Sequence, residues 1–455
     1  MELPRGLMSN MKILVCNSGS SSLKFGLFEA NHEVLLAEGG IDWTTEPTRL
    51  VVRRPGRPDI REELDLREHS DGVARILECL QTGPWAPLVG LDDIDAVGHR
   101  VVHGGNRYTV AVRITPEVQT AIGELSELAP LHNPASLEGI RAVEKILPSV
   151  PQVAVFDTAF HATLSTTART YPVQRLWTND WGIHRYGFHG LSHAYCARRA
   201  AEMLERSDSR LIIAHLGNGA SVSAIRDGIC VDTSMGFTPL EGVVMGTRSG
   251  NVDPGMLIYL IRRKGLSAEQ LDYALNHESG LLGISGTCSD MRQILEQSAE
   301  SPDARLALTV YIHRLVQSIG AMAATLGGVD GLVFTAGVGE NSARVRELAC
   351  ENLGHLGLNL DRTANDRLKP DADVALPTSP ARILVISTRE DLTIVRETRS
   401  LLRSEKNEED RGVLAARAHP GAEGTPNGAG PTRMAQARPT SRPEVTFSNH
   451  ETEKA

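Results

Sequence analysis

At 455 residues the chain exceeds what one hydrophobic core usually serves, so two folded domains are expected. A net charge of −9 argues against nonspecific binding to nucleic acid or to an anionic membrane, and leaves open a local basic site for an acidic substrate. Six cysteines, at 16, 79, 196, 230, 288 and 350, form no CxxC pair, which suits reduced cytosolic thiols packed in cores better than a disulfide framework or a zinc site.

The leader, residues 1–10, lacks an apolar signal region, and the chain has no uncharged apolar run of about 18 residues, so a soluble cytoplasmic protein is expected. The run MKILVC leads into NSGSSSLKFGLF, Asn17 to Phe28, which looks at first like a nucleotide phosphate loop. No second glycine precedes Lys24, however, and no Ser or Thr follows it. Leu23, Phe25 and Leu27 then alternate with Lys24, Gly26 and Phe28, a period of two that predicts a strand rather than a helix. The loop is therefore a β-hairpin turn of small hydroxyl residues, in which Gly19 is expected to take an unusual backbone angle. From this stretch alone, an ordinary polar hairpin reads equally well.

A turn at EANHE and the run VLLAEGGID complete three short strands. The same order returns later as RLIIAHL, the turn GNG, ASVSAI, the turn RDG and ICVDTS. Each copy has a further strand that runs into paired glycines, IDAVGHRVVHGG in the first and GLVFTAGVGENS in the second. Two copies of one pattern predict a duplicated α/β domain, with the glycine-rich turns of both facing a cleft. DLTIVRETRSLLRS predicts a closing helix over about 394–403. From Ser404 the chain is rich in Pro, Gly, Ala and charge, and reads as a structureless tail over 404–455.

Between and beyond the hairpins stand RVVHGG, LHNP, FDTAFH, RYGFHGLSH, MGFTPLEGVVMGTRSGNVDPG, SDMR, FTAGVGENS and STREDLTIVRET. With NSGSSSLKF, and in this order from Met11 to Arg403, they closely resemble the acetate kinase family. The family usually writes NAGSSS and TNEEL where this chain has NSGSSS and TREDL. The resemblance implies an α/β fold of two duplicated ribonuclease H-like domains, of the acetate and sugar kinase, Hsp70 and actin type, around a central cleft. An N-terminal domain on the acyl and phosphate side would span 11–160, with the closing helix packed back on it, and a nucleotide-binding domain 161–393. It also implies ATP/ADP and acetate/acetyl phosphate as substrates, magnesium with manganese as a possible substitute, and a homodimer.

Residue by residue, the resemblance places Arg100 and Arg248 on acetate and the transferring phosphoryl group. Arginine suits that place, because two anions must be brought together and a planar guanidinium donates two parallel hydrogen bonds. His189 would donate to a phosphoryl oxygen, and His132 and His193 would flank it. The i, i+4 spacing of His189 and His193 also fits zinc, but the glutamate of an HExxH motif is missing. Asp157 would orient an arginine or a metal-bound water. A general base is not needed, since acetate is already ionised at neutral pH. Asn17 and Glu390 would associate with magnesium. The nucleotide would span Lys24, His215, Leu216, Gly217, Asn218, Gly219, Asp290, Met291, Arg292, Gly337, Val338, Gly339, Glu340 and Asn341, with Asp290 at the ribose. Val102, Leu131, Phe188 and Pro239 would form the acyl pocket. Two other readings stay open: a kinase of propionate or another short-chain acid, and a non-catalytic actin-like ATP-binding switch.

Overall fold

Strand β1 (Lys12–Ser18) turns back into β2 (Ser22–Glu29) and β3 (Val34–Asp42), an antiparallel meander with Cys16 opposite Phe25 and Asn17 opposite Lys24. A computed structural model describes residues 11–418 apart from Ser20, Arg67, Glu68, Pro84 and Leu131. The leader and the segment from residue 419 lie outside the described residues. The meander continues through β4 (Thr48–Arg53) and β5 (Ile60–Leu64). On its other edge β1 pairs in parallel with β6 (Ala96–Val101), and β6 with β8 (Gln152–Phe156), while the short β7 (Val112–Arg113) closes the sheet. The strand order is β5-β4-β3-β2-β1-β6-β8-β7.

The second sheet repeats this scheme. Strands β9 (Arg210–Leu216), β10 (Ala220–Arg226) and β11 (Ile229–Thr233) form an antiparallel meander, and β9 pairs in parallel with β12 (Gly331–Thr335), which pairs with β14 (Arg382–Val385). Adding β13 (Ala372–Asp373), the order is β11-β10-β9-β12-β14-β13. Thus β3-β2-β1-β6-β8 and β11-β10-β9-β12-β14 are the same five-stranded core built twice. The extra strands β4 and β5 belong to the first copy alone.

Alternation along the strands explains how the two sheets join. Leu14 and Cys16 of β1 face one core, filled also by Ile76, Leu77 and Val143, whereas Ile13 and Val15 face a second. On β9, Ile212, Ala214 and Leu216 face the large core of the second sheet, and Leu211 and Ile213 face the same second core as Ile13 and Val15. That shared core also takes in Leu191, Tyr195 and Cys196 from helix Gly190–Met203 and Leu392, Ile394 and Val395 from the last helix. Helix Pro302–Leu326 is the one described helix long and apolar enough by composition to cross a membrane. Its row Ala304, Ala307, Tyr311, Leu315, Ile319 and Met322 is buried in the large core, which accounts for the apolar composition on that face.

Two expectations need correction. Gly19 is not in the left-handed region; its N–H donates to the carbonyl of Ser22 at 2.8 Å, a turn that any residue could form. The last helix spans Glu390–Ala418 rather than 394–403, so the first part of the expected tail is helical. Its first residues are fastened by a two-point ion pair from Arg396 to Glu33 and by close packing of Ile394 and Thr398 over Gly98, where an added Cβ would come within 2.5 Å of Ile394.

Another close approach matters more for the site. The N–H of Gly190 donates to the carbonyl of Asp157 at 3.0 Å, and a Cβ at position 190 would lie 2.0 Å from that oxygen. The contact is with backbone, so no rotamer change relieves it. Gly190→Ala is expected to destabilise the protein by about 1–3 kcal/mol, the usual cost of overpacking. A urea unfolding midpoint equal to that of the unsubstituted protein would contradict this packing.

Candidate functional site

Parallel strands bring their carboxyl ends to one edge of a sheet, and the loops that follow them collect there. In the first sheet this edge carries Asn17 and Ser18 at the end of β1, Arg100 and Val102 at the end of β6, and Asp157 just after β8. In the second sheet the turn Gly217–Gly219 follows β9, and Ala336 follows β12 with φ of 65° at the start of helix Ala336–Asn341. The two edges enclose two cavities.

The smaller, of about 260 Å³, is lined by Asn17, Ser18, Gly19, Ser22 and Lys24 from the first hairpin, together with Arg100, Val102, His132, Asp157, Phe188, His189, Gly219, Pro239 and Arg248. The larger, of about 790 Å³, has Gly217, Asn218, Gly246, Ser289, Asp290, Met291, Arg292, Gly337, Val338 and Asn341 in its wall. Leu281, Leu295 and Tyr311 make part of that wall apolar. The glycine turn is the partition, with Gly217 and Asn218 on one side and Gly219 on the other.

Charge in the small cavity is arranged unequally. Arg100 donates through Nε and Nη2 to one carboxylate oxygen of Asp157, at 3.1 and 2.6 Å, and its Nη1 lies 3.2 Å from Glu390. Burial alone would lower its pKa, but the charges of Asp157 and Glu390 hold it above the ordinary value. Burial pushes the Asp157 carboxyl up, against the pull of Arg100. The other oxygen of Asp157, Oδ1, is buried without a partner among the described residues. Among the described residues Arg248 donates to the Pro239 carbonyl alone, at 3.4 Å, and burial lowers its pKa. It is a half-buried cation with no carboxylate beside it among the described residues, which is an anion site in waiting.

His189 adopts φ of 57° as the residue that caps helix Gly190–Met203. Its ring stacks on His215 at 4.2 Å and an interplanar angle of 18°, and its Nδ1 lies 3.0 Å from the Ser221 hydroxyl. His215 in turn is 2.8 Å from Ser192, and Ser192 accepts from the Thr388 hydroxyl at the same distance.

Most sequence candidates therefore meet around the two cavities, and a few do not. Leu216 alternates into the core of the second sheet. Glu340 turns away from the larger cavity, accepting from the N–H groups of Ala336 and Thr388 and from the Ser387 hydroxyl. Gly339 is covered by Arg346, whose guanidinium, 1% exposed, donates to the carbonyls of residues 339 and 340 and to Asn365. His215 stands behind His189 rather than on a wall, and Glu390 stands behind Arg100. Asp290 caps helix Met291–Gln297 and is paired with Arg292, which together lower its pKa to about 2. Leu131 lies outside the described residues.

Sequence reasoning missed Tyr311, Gly246, Ser221 and Arg346. Tyr311 carries no local signal, being one aromatic in an aliphatic helix face. Gly246 could have been suspected from MGTRSG: a Cβ there would meet the Asn218 side chain at 2.3 Å.

Two duplicated ribonuclease H-like sheets around such a cleft define the acetate and sugar kinase, Hsp70 and actin class of fold. The sequence profile of the acetokinase family matches residues 12–396. Acetate kinase of Microcystis aeruginosa (strain NIES-843 / IAM M-2473) is 50% identical over 399 residues, which cover 85% of this chain and 98% of that protein. The crystal structure of Porphyromonas gingivalis acetate kinase matches with a TM-score of 0.80 at 42% identity, over 86% of this chain and 100% of that one. A propionate kinase from Francisella tularensis subsp. tularensis SCHU S4 matches with a TM-score of 0.79 at 38% identity, over 86% and 99%. The chain belongs to the acetokinase family.

The buried histidines make a pH prediction. Burial lowers the pKa of His99, His103, His161 and His215 to about 4. Unfolded, each takes up a proton near its ordinary value of about 6.5. Between those values the unfolded chain binds more protons than the folded one, so stability present above pH 6.5 is lost as the pH falls toward 4. Each histidine contributes about 1.4 kcal/mol per pH unit inside that window. Urea unfolding between pH 7 and 5 should show this steep loss, and His99→Gln should flatten it by about one histidine's share; a level profile would contradict the burial of these rings in neutral form.

Proposed function

We propose that this protein catalyses reversible phosphoryl transfer between ATP and acetate, giving ADP and acetyl phosphate. The observation that carries the reading is the pair of half-buried arginines, one from each half of the cleft, facing a cavity of about 260 Å³ beside a second of about 790 Å³. A nucleotide suits the larger space, and a carboxylate with one methyl group suits the smaller.

Transfer between two anions needs positive charge and alignment more than a base. Arg248, with no carboxylate partner, supplies charge that only an incoming anion neutralises. Arg100 is held in place by Asp157 and Glu390, so its position is set before substrate arrives. Asp157 acts as the orienting carboxylate. His189 donates to the phosphoryl oxygens, and Lys24 and the hydroxyls of the first hairpin add donors at the rim. Val102, Phe188 and Pro239 supply the apolar wall for the methyl group. Gly217, Asn218, Asp290, Gly337 and Asn341 hold the nucleotide, with Met291, Arg292 and Val338 beside them.

A magnesium ion fits the residues present. Among the described residues no three His, Cys, Asp or Glu side chains gather as a closed metal cluster, which suits a metal that keeps several waters and few protein ligands. Asn17, Glu390 and the unpartnered Oδ1 of Asp157 are the oxygens that would hold it, with manganese as a possible substitute. When bound it would neutralise phosphate charge. We also read the chain as a cytoplasmic homodimer. The described cysteines are free, and Val252, Met256, Ile258, Tyr259, Ile261 and Tyr273 expose apolar surface that a second copy would cover.

Propionate is the second reading, because a propionate kinase shares this fold at 38% identity. An actin-like switch is disfavoured, since a switch has no need of an apolar wall beside two such arginines. Arg100→Ala and Arg248→Ala should each lower kcat by orders of magnitude, on the order of 3 kcal/mol or more of transition-state stabilisation. Acyl hydroxamate formation from acetate, ATP, magnesium and hydroxylamine reads this directly, and a folded variant with near-normal turnover would remove that arginine from the site.

Val102 separates the two acids. It is stiff at χ1, so the extra methylene of propionate meets it. Acetate should be the better substrate, and Val102→Ala should shift relative kcat/KM toward propionate by about 1–3 kcal/mol. An unchanged ratio would assign Val102 to plain packing, and a preference of the unsubstituted protein for propionate would overturn acetate as substrate.

A further inference from the structure

Behind His189 lies a buried polar layer that no substrate reaches. Ser221 and Ser223 leave β10 on one face, while Val222 and Ala224 leave it on the other, into the large core. The Ser221 hydroxyl lies 3.0 Å from Nδ1 of His189 and 2.7 Å from Nε2 of His193. Ser223 lies 3.2 Å from the same Nε2, and 2.8 Å from the Thr233 hydroxyl. His193 is fully buried, and its Nδ1 has no partner among the described residues.

One hydroxyl has one proton to give, so it cannot donate to both imidazoles that share it. Suppose His193 carried its proton on Nδ1. That N–H would then be buried without an acceptor, which folded proteins avoid more strictly than a bare acceptor. With the proton on Nε2 instead, only a lone pair is left without a partner, and His193 donates to Ser221. The Ser221 proton is then free for Nδ1 of His189. His189 must accept there and carry its own proton on Nε2, the nitrogen that faces Gly219 and the small cavity.

We propose that Ser221, set by His193, is a positioning residue that fixes His189 as a neutral imidazole with its proton on Nε2, aimed into the small cavity as a hydrogen-bond donor. The inference rests on the reaction proposed above only in assigning that donor to the phosphoryl oxygens. Burial, the neighbouring rings of His215 and His193, and the charges of Arg100 and Arg248 all lower the pKa of His189, so the ring has a single N–H to place. The opposite tautomer would present a lone pair to an anion. Stacking on His215 holds the ring plane, and the serine decides which nitrogen keeps the proton.

Nitrogen NMR of the full-length protein labelled in histidine distinguishes the two tautomers without any turnover. The unsubstituted protein should show His189 protonated on Nε2 and His193 protonated on Nε2. In Ser221→Ala the His189 signals should move toward a mixture of tautomers, with kcat reduced about 10- to 100-fold and KM for ATP changed less than about twofold. His189 found protonated on Nδ1 in the unsubstituted protein overturns the proposal, whether or not the variant folds. A folded Ser221→Ala with unchanged tautomer and turnover overturns it equally. His189→Ala, measured alongside, keeps the two claims apart: normal turnover there removes His189 from the reaction, while collapsed turnover there, with His189 protonated on Nδ1 in the unsubstituted protein, removes only the positioning role of Ser221.

Discussion

The site depends on the ion pair between Arg100 and Asp157. The half-buried guanidinium at the end of β6 is met by a carboxylate, and Asp157, 1% exposed just after β8, answers it with one oxygen. The backbone of Asp157 is fixed as tightly. Its N–H donates to Val101, and its carbonyl accepts from Gly190, the first residue of helix Gly190–Met203. Helix, strand and arginine therefore share one anchor. His189, one residue before that glycine, is carried into the cavity by the same contact, at a backbone angle a bulky residue adopts only when its surroundings impose it.

The second half of the molecule contributes what the first cannot balance. Arg248 has no carboxylate beside it among the described residues, and the core that holds Ile13 and Val15 together with Ile213 and Val333 joins the two sheets whose loops line the cavity it shares with Arg100. A fold that tied both arginines would leave no charge to attract a substrate. A fold that left both free would carry two uncompensated, half-buried cations. The division of labour between a paired and an unpaired arginine avoids both outcomes.

Much of this was legible in the sequence because its physical cause is local. Alternation after NSGSSS separates a hairpin from a phosphate loop, and the same alternation after HLGNG exposes the duplication. Residues at the carboxyl ends of strands, such as Arg100, Asp157 and Asn218, fall where their motifs suggest. What stayed hidden depends on contacts far apart in the chain. Glu340 sits in a glycine-rich motif beside the wall of the larger cavity, yet accepts from Ser387 and Thr388, some 47 residues on. Ser221 reads as one more small residue in a strand, and only the fold places it between two histidines. The final helix outlasts its apolar rows because charged residues past Arg403 continue it as an exposed helix, so a criterion based on burial stopped too soon.

The central claim is that two anions meet between Arg100 and Arg248 and exchange a phosphoryl group. Phosphorus NMR of the purified protein with ATP, magnesium and acetate tests it most directly. The account predicts an acetyl phosphate resonance growing in step with ADP, and its disappearance when ADP is then added in excess. ADP accompanied only by inorganic phosphate, or ATP left unchanged, would contradict it.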